Sequence, residues 1–463
     1  MKHVSLLLAT VLLSTACSTT RTVSRSWKSE QTASTWAASF EQFSGTERLR
    51  LPSQPGQLIY LSSQFTTTAG QLQLRSSGQV LPTPTKVSHH KIPLTPPARV
   101  EVVGRQAAGA FTLRYPVYQQ KQIAVKSNPN IELLGLCYLL TQYDDLAAIP
   151  SEQTFLINGQ NIRIKDLYAL NLKLAAPFTR FAGSKHLAVI KSYFEKDFYL
   201  HYANFLLSLD AFPQATVPAD SRFVRQFASL DDARRFIGAC NAFYQEIAFD
   251  AFLRKHRPYY AAMLAEVSGN LPPAGFITEM EHLYSKQVGE YRLYPSLLVP
   301  FGSGFAVGDA QSVGNIFGSF GKPESIADTA ALRLGFADSK ALRTVCIHEF
   351  GHSFVNPEVD QVSAEALAKT AFLFEPIKGK MSEQGYNQWK ICLYEHFNRA
   401  GEVLVARLVG DPAKAAELLQ DNVQNRDFRY LPQIVEKLDY WYYNEYLDKT
   451  YQQKVQEIVA ELR

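Results

Sequence analysis

Residues 348–352 read His348-Glu349-Phe350-Gly351-His352. On an α-helix, positions i and i+4 share a face about 40° apart, so both imidazoles reach one point. Converging donors of this kind are what a zinc ion requires. Glu349 is turned about 100° from His348. That angle suits it poorly as a further ligand and well as a base that takes a proton from a metal-activated water. Ala341 to Val355 contains no proline, so a helix can form, and Pro357 is placed to stop it. Val345, Cys346 and Ile347 before the motif and Ser353, Phe354 and Val355 after it are uncharged, as a buried helix needs.

Two histidines leave a catalytic zinc short of one protein ligand. The segment after Tyr386 has a helical pattern and offers Glu395, His396 and Glu402. On a helical wheel Trp389, Cys392, Leu393, Ala400 and Val403 form an apolar arc with His396 near its centre and Glu395 at its edge. Periodicity thus turns His396 to the core, as a ligand or as a ring bonded to a carbonyl. A carboxylate at the arc's edge needs a partner, and Arg399 at i+4 supplies one to Glu395.

The 463 residues are enough for two or three domains. With 46% hydrophobic residues, the composition is that of a folded chain. A net charge of +4, with no basic stripe, gives no reason to expect a nucleic-acid partner. Val4 to Leu13 is an apolar run too short to span a membrane, and Ser14-Thr15-Ala16 leads into Cys17. The segment 1–16 is expected to be a lipoprotein signal peptide, with Cys17 lipidated, although Leu13 stands one position further from the cysteine than is usual. Residues 17–45 begin rich in Ser and Thr and are expected to be a tether. This places the protein in the bacterial cell envelope, lipid-anchored and facing the periplasm or the exterior. Cys137, Cys240, Cys346 and Cys392 lie among apolar residues without a CxxC pair and read as buried small hydrophobes.

Residues 46–120 alternate apolar and polar, as at Leu72 and Leu74, Val100 and Val102, and Phe111, Leu113 and Tyr115. A small β-sandwich is expected there, with the proline-rich connection from Pro82 to Pro97 excluded from any central strand. From Asn128-Pro129 the pattern turns helical, a β-like stretch intervenes between Tyr291 and Phe320, and helices resume near Ala341. Residues 121–463 are expected to form one mainly helical α+β domain. His89, His90, His186, His201, His256 and His282 have no ligand spacing and read as surface or core residues, and the tyrosines of 438–447 as packing aromatics.

HEFGH with a downstream glutamate on a second helix resembles the gluzincin metallopeptidases. PNIELLGLCYLL (129–140), AFYQEIAFDAFLRKHRPYY (242–260), VCIHEFGHSFVNP (345–357) and WKICLYEHFNRA (389–400) resemble an uncharacterised bacterial family with a domain of unknown function. The similarity spans roughly residues 120 to 463. It implies a zincin-like metallopeptidase domain with Zn2+ held by His348, His352 and Glu395, Arg399 orienting Glu395, and a peptide or protein substrate. His396 is the alternative third ligand. GNIFGSF (314–320) is the expected substrate-pairing strand. Two other functions remain open: a tethered binding or assembly lipoprotein with a structural zinc site, and hydrolysis of a non-peptide bond.

Overall fold

The computed structural model describes residues 19–51, 54, 56–93, 98–157, 160–218, 222–309 and 311–463. The expected signal peptide, Cys17 and residues 94–97 of the proline-rich connection lie outside them. A sheet-rich N-terminal region is followed by a mostly helical C-terminal region.

The N-terminal strands are β1 (Thr19–Arg25), β2 (Lys28–Gln31), β3 (Thr35–Arg50), β4 (Gln57–Ser76), β5 (Gln79–Leu81), β6 (Val87–Pro93), β7 (Arg99–Arg114) and β8 (Val117–Gln119). They form one eight-stranded antiparallel sheet rather than two separately paired sheets. Its path is β1-β3-β7-β4-β5, with β2 on β3 and β6 and β8 on β4. Register shifts at Phe40/Phe43 in β3 and at Thr67/Ala69 in β4 mark bulges in the long strands. Bulges bend a strand and increase its twist. Residues from both halves, such as Trp36 and Phe111 with Leu49 and Leu74, thereby share one core.

The expected tether is sheet from Thr19 onward. Its Ser and Thr content concealed the apolar anchors of a strand pair: Trp27 stacks on Phe40 at 5.2 Å, and Trp36 meets Phe111 edge-on at 4.9 Å. β-Branched threonines suit strands as well as linkers. The proline-rich connection contains β6, which among the described residues pairs only with β4 and so lies at an edge.

After β9 (Ile123–Val125), Asn128 caps the helix Pro129–Ala148 by accepting from the Asn130 and Ile131 amides. A hairpin of β10 (Thr154–Ile157) and β11 (Gln160–Arg163) precedes further helices. The second sheet adds β12 (Glu290–Pro295), β13 (Gly304–Gly308) and β14 (Ser312–Phe317) in the order β13-β14-β12-β9. β12 is parallel to β9 and β14, and β13 is antiparallel to β14. β12 and β14 are largely buried, as parallel strands covered on both faces are. A single core takes in residues from Ile123 to Leu462, joined by Val87 of β6. The four described cysteines are buried within it as free thiols. No helix among the described residues is long and apolar enough to cross a membrane.

The two regions meet through histidines and tyrosines. His89 on β6 stacks on Tyr442 at 4.0 Å, and Tyr60 on β4 stacks on His282 at 4.1 Å. His282 Nε2 lies 3.1 Å from His89 Nδ1. Burial pushes His89 down to about 4, against the bond to the Tyr442 carbonyl, which favours the charged ring. The unfolded chain, with an ordinary value of 6.5, therefore takes up a proton that the folded chain refuses. Stability from this ring is complete above pH 6.5 and is lost as pH falls through that window toward 4. The shift is worth at most about 3 kcal/mol. The melting temperature of the wild type is thus expected to fall more steeply across that window than that of His89→Gln, measured by thermal denaturation. Parallel curves would contradict the assignment.

Candidate metal centre

Asp338 caps the helix Ser339–Asp360 by accepting from the Lys340 and Ala341 amides, and the helix carries HEFGH in its middle. It does not stop at Pro357. A proline at this position has no N–H for the carbonyl four residues back. That carbonyl, on Ser353, accepts instead from Lys286 Nζ at 3.1 Å, so the helix continues for three more residues.

The helix Trp389–Leu408 packs against it. At the crossing a Cβ added to Gly351 would lie 2.1 Å from Asn398 Oδ1. Asn398 is itself held, its Nδ2 donating to the His348 carbonyl at 2.9 Å. Glycine at the fourth position of the motif therefore sets how closely the second helix approaches.

That approach brings Glu395 to the histidines. His348 Nε2 and His352 Nε2 are 3.2 Å apart. Glu395 Oε2 is 3.6 Å from the first and Oε1 3.3 Å from the second. Zinc bonds of about 2.0–2.1 Å at tetrahedral angles separate ligand atoms by roughly 3.3 Å. The two glutamate distances end on different carboxylate oxygens, and all three distances are close to that edge length. Among the described residues, this trio is the group of His, Cys, Asp and Glu side chains arranged to hold a metal ion.

The outer ring nitrogens explain why the inner ones converge. His348 Nδ1 lies 2.6 Å from Glu402 Oε1, and His352 Nδ1 lies 3.1 Å from Asn356 Oδ1. The nearer partner of each ring accepts, and Asn398 Nδ2, 3.2 Å from His348 Nδ1, donates to the His348 carbonyl instead, so each ring carries a proton on Nδ1 and turns Nε2 inward. Two inward ring nitrogens and a carboxylate at these distances need a cation between them, a metal ion or, in the metal-free chain, a proton that His352 shares with Glu395. The donor set therefore fits a zinc ion.

Charge is balanced around the trio. Burial alone would raise the Glu395 carboxyl, but the hydrogen bond with His352 and the charges of His348, His352 and Arg399 bring it down to about 2. For His348, burial is the largest influence and favours the neutral ring, yet Glu402, Glu395 and Glu349 together raise its pKa above the ordinary value. Arg399 reaches Glu395 Oε2 at 3.3 Å and lies over the Phe428 ring at 4.5 Å. Glu349 is half-buried, and among the described residues no hydrogen bond or ion pair engages its carboxylate.

His396 does not join the cluster. It is fully buried, its Nδ1 lies 2.8 Å from the Cys392 carbonyl, and its ring is 4.9 Å from Phe428. Neighbouring helical residues point about 100° apart, so only one of the pair can face the HEFGH helix. Glu402, also a candidate third ligand from sequence, lies instead on the far side of His348. GNIFGSF is not an edge: β14 is paired on one side to β13 and on the other to β12. The edge strand beside the HEFGH helix is β13.

Asn356, Asn398 and Glu402 were not assigned these roles from sequence. Asn356 was findable, because it stands four residues after His352 on the same helical face. Asn398 and Glu402 required the packing of two helices. Removing the charge that holds His348 is expected to weaken zinc binding. Glu402→Gln should lose roughly 10–100-fold in affinity, read by competition with a chromophoric chelator. Unchanged affinity would mean that Glu402 does not orient the ring.

The chain belongs to the family described as Domain of unknown function (DUF4932), whose model matches residues 219–460. All three residues of the trio lie within the match. No curated protein and no solved structure matches the chain.

Proposed function

We propose that the chain is a lipid-anchored, zinc-dependent metallohydrolase of the bacterial cell envelope that cleaves peptide bonds. One observation carries the reading: the triangle of His348 Nε2, His352 Nε2 and the Glu395 carboxylate, with the unengaged Glu349 carboxylate one residue from the first histidine. Two histidines from one helix and a glutamate from a second is also the gluzincin arrangement, and the reading follows that resemblance.

Zinc, when bound, lowers the pKa of water and polarises a carbonyl. The remaining work falls to the chain. Glu349 accepts a proton from the attacking water and passes it to the departing amine. Glu402 and Asn356 keep the two imidazoles in the required tautomer, and Arg399 steadies Glu395. Among the described residues β13 pairs only with β14. Its other edge offers backbone groups to which an extended peptide can add as a strand. The N-terminal sheet begins two residues after Cys17, so an anchor there would hold it against the bilayer.

The test is a mixed peptide library incubated with the zinc-loaded protein. Cleavage that stops on adding a chelator and resumes with zinc is the expected result. A zinc-loaded, folded protein that cuts no peptide would sink the peptidase reading and favour the binding lipoprotein.

A further inference from the structure

A cavity of about 420 Å³ opens beside the HEFGH helix, on the side away from Glu349. Lys340 and Ile347 line it, nine and two residues before Glu349. At 100° per residue both lie close to the opposite side of the helix from that carboxylate. The cavity is therefore separate from the face on which Glu349 stands. Its walls are mostly apolar, with Ile347, Ala406, Leu418 and the Pro272-Pro273 turn. Its volume is within the range of small-ligand sites, roughly 300–1,000 Å³.

Three cations stand at the rim: Lys340, Arg343 and Lys414. Glu417 serves two of them, at 3.9 Å from Lys340 and 2.8 Å from Lys414, and Asp411 lies 3.3 Å from Arg343. Three positive charges thus meet two negative ones. One further carboxylate would balance the rim, and an apolar body would fill the interior. The remaining acid in the lining is Glu402, whose carboxylate is already engaged away from the rim, by His348 Nδ1 at 2.6 Å and Arg399 at 3.9 Å.

We propose that this cavity binds a small amphipathic carboxylate, with its charge at Lys340 and Arg343 and its apolar part against Ile347 and Leu418, and that Glu402 couples it to the metal centre. Glu402 lines the cavity and also holds His348 Nδ1. An apolar occupant excludes water from around Glu402 and so strengthens its bond to the ring. A ring held more firmly in this tautomer is a better donor at Nε2. The occupant therefore tightens zinc binding, and by linkage zinc tightens the occupant by the same factor. Only this coupling rests on the metal reading; the cavity's own binding does not.

Octanoate is the probe, titrated calorimetrically into the whole chain, first stripped of metal and then loaded with zinc. The metal-free protein is expected to show one saturable site. Arg343→Gln removes a rim charge, and Leu418→Trp fills the cavity from a half-buried position. Each should weaken octanoate about tenfold or more. The zinc-loaded protein should bind it more tightly, and octanoate should lower the zinc dissociation constant by an equal factor. No saturable binding to folded, metal-free protein would overturn the proposal, as would binding that neither variant alters. Binding that both variants weaken but zinc leaves unchanged would overturn the coupling. Because the first titration needs no metal, its outcome does not depend on whether the metal reading holds.

Discussion

Glu349→Gln is expected to keep about one zinc per chain and an unchanged melting curve, while peptide hydrolysis falls by roughly 10²–10⁴-fold. The carboxylate stands beside the donor triangle and is not one of its corners, so the metal ligands are untouched. Glutamine preserves the shape and loses only the ability to accept and return a proton. The half-buried setting and the absence of a hydrogen-bond partner among the described residues make a large folding effect unexpected. Comparing kcat/KM with zinc content in the same samples separates a lost base from a lost metal. Full activity in Glu349→Gln would remove this residue from the chemistry.

The second large effect concerns where the folding unit ends. The family model begins at residue 219, but the structure ties residues before that point into the same core. β9 pairs with β12 through Tyr291↔Ile123 and Leu293↔Val125. Glu132, fully buried, accepts from the Leu297 amide at 3.2 Å and from the Tyr260 hydroxyl at 3.2 Å. A Cβ added to Gly135 would lie 2.6 Å from the Leu298 backbone, so the helix Pro129–Ala148 lies directly on the chain leading to β13. A fragment of residues 219–460 would expose an edge of β12 and an apolar face that this helix covers. It is expected to show no cooperative thermal transition and to aggregate, whereas the whole chain melts cooperatively. A soluble fragment with a sharp transition and bound zinc would show that the earlier residues are an addition to a self-sufficient domain.

The donor cluster was legible in the sequence to the extent that it depends on one helix. The spacing of His348, Glu349 and His352 is a local property, and so is the i+4 pairing of Glu395 with Arg399. The choice between Glu395 and His396 was not local. The apolar arc correctly showed that His396 is buried, and its bond to the Cys392 carbonyl is the alternative that periodicity had left open. Which of the two meets the histidines depends on how the second helix crosses the first, a crossing at which Gly351 leaves room for Asn398. The same holds for Glu402, which sequence offered as a ligand and packing places behind His348.

The fold was legible where patterning is strong and misread where composition hides it. Asn128-Pro129 starts a helix because side-chain capping and a proline at N1 are local signals. Pro357 has a local signal too, but Lys286, distant in sequence, satisfies the carbonyl that a proline leaves free. The Ser- and Thr-rich start read as a linker, although Trp27, Trp36, Phe40 and Phe43 needed a core. A single bent sheet in place of a sandwich follows from bulges, which no alternation pattern marks. The histidines without ligand spacing lie outside the His348, His352 and Glu395 trio, but His89 and His282 meet across the two regions, a contact that spacing cannot register.

The most direct test of the metal centre is zinc per chain, by elemental analysis, on folded wild type, Glu395→Ala and His396→Ala side by side. About one zinc per chain is expected in the wild type, retained in His396→Ala and lost in Glu395→Ala. A folded wild type that holds no zinc after the metal is supplied would contradict that expectation. So would zinc lost in His396→Ala and kept in Glu395→Ala.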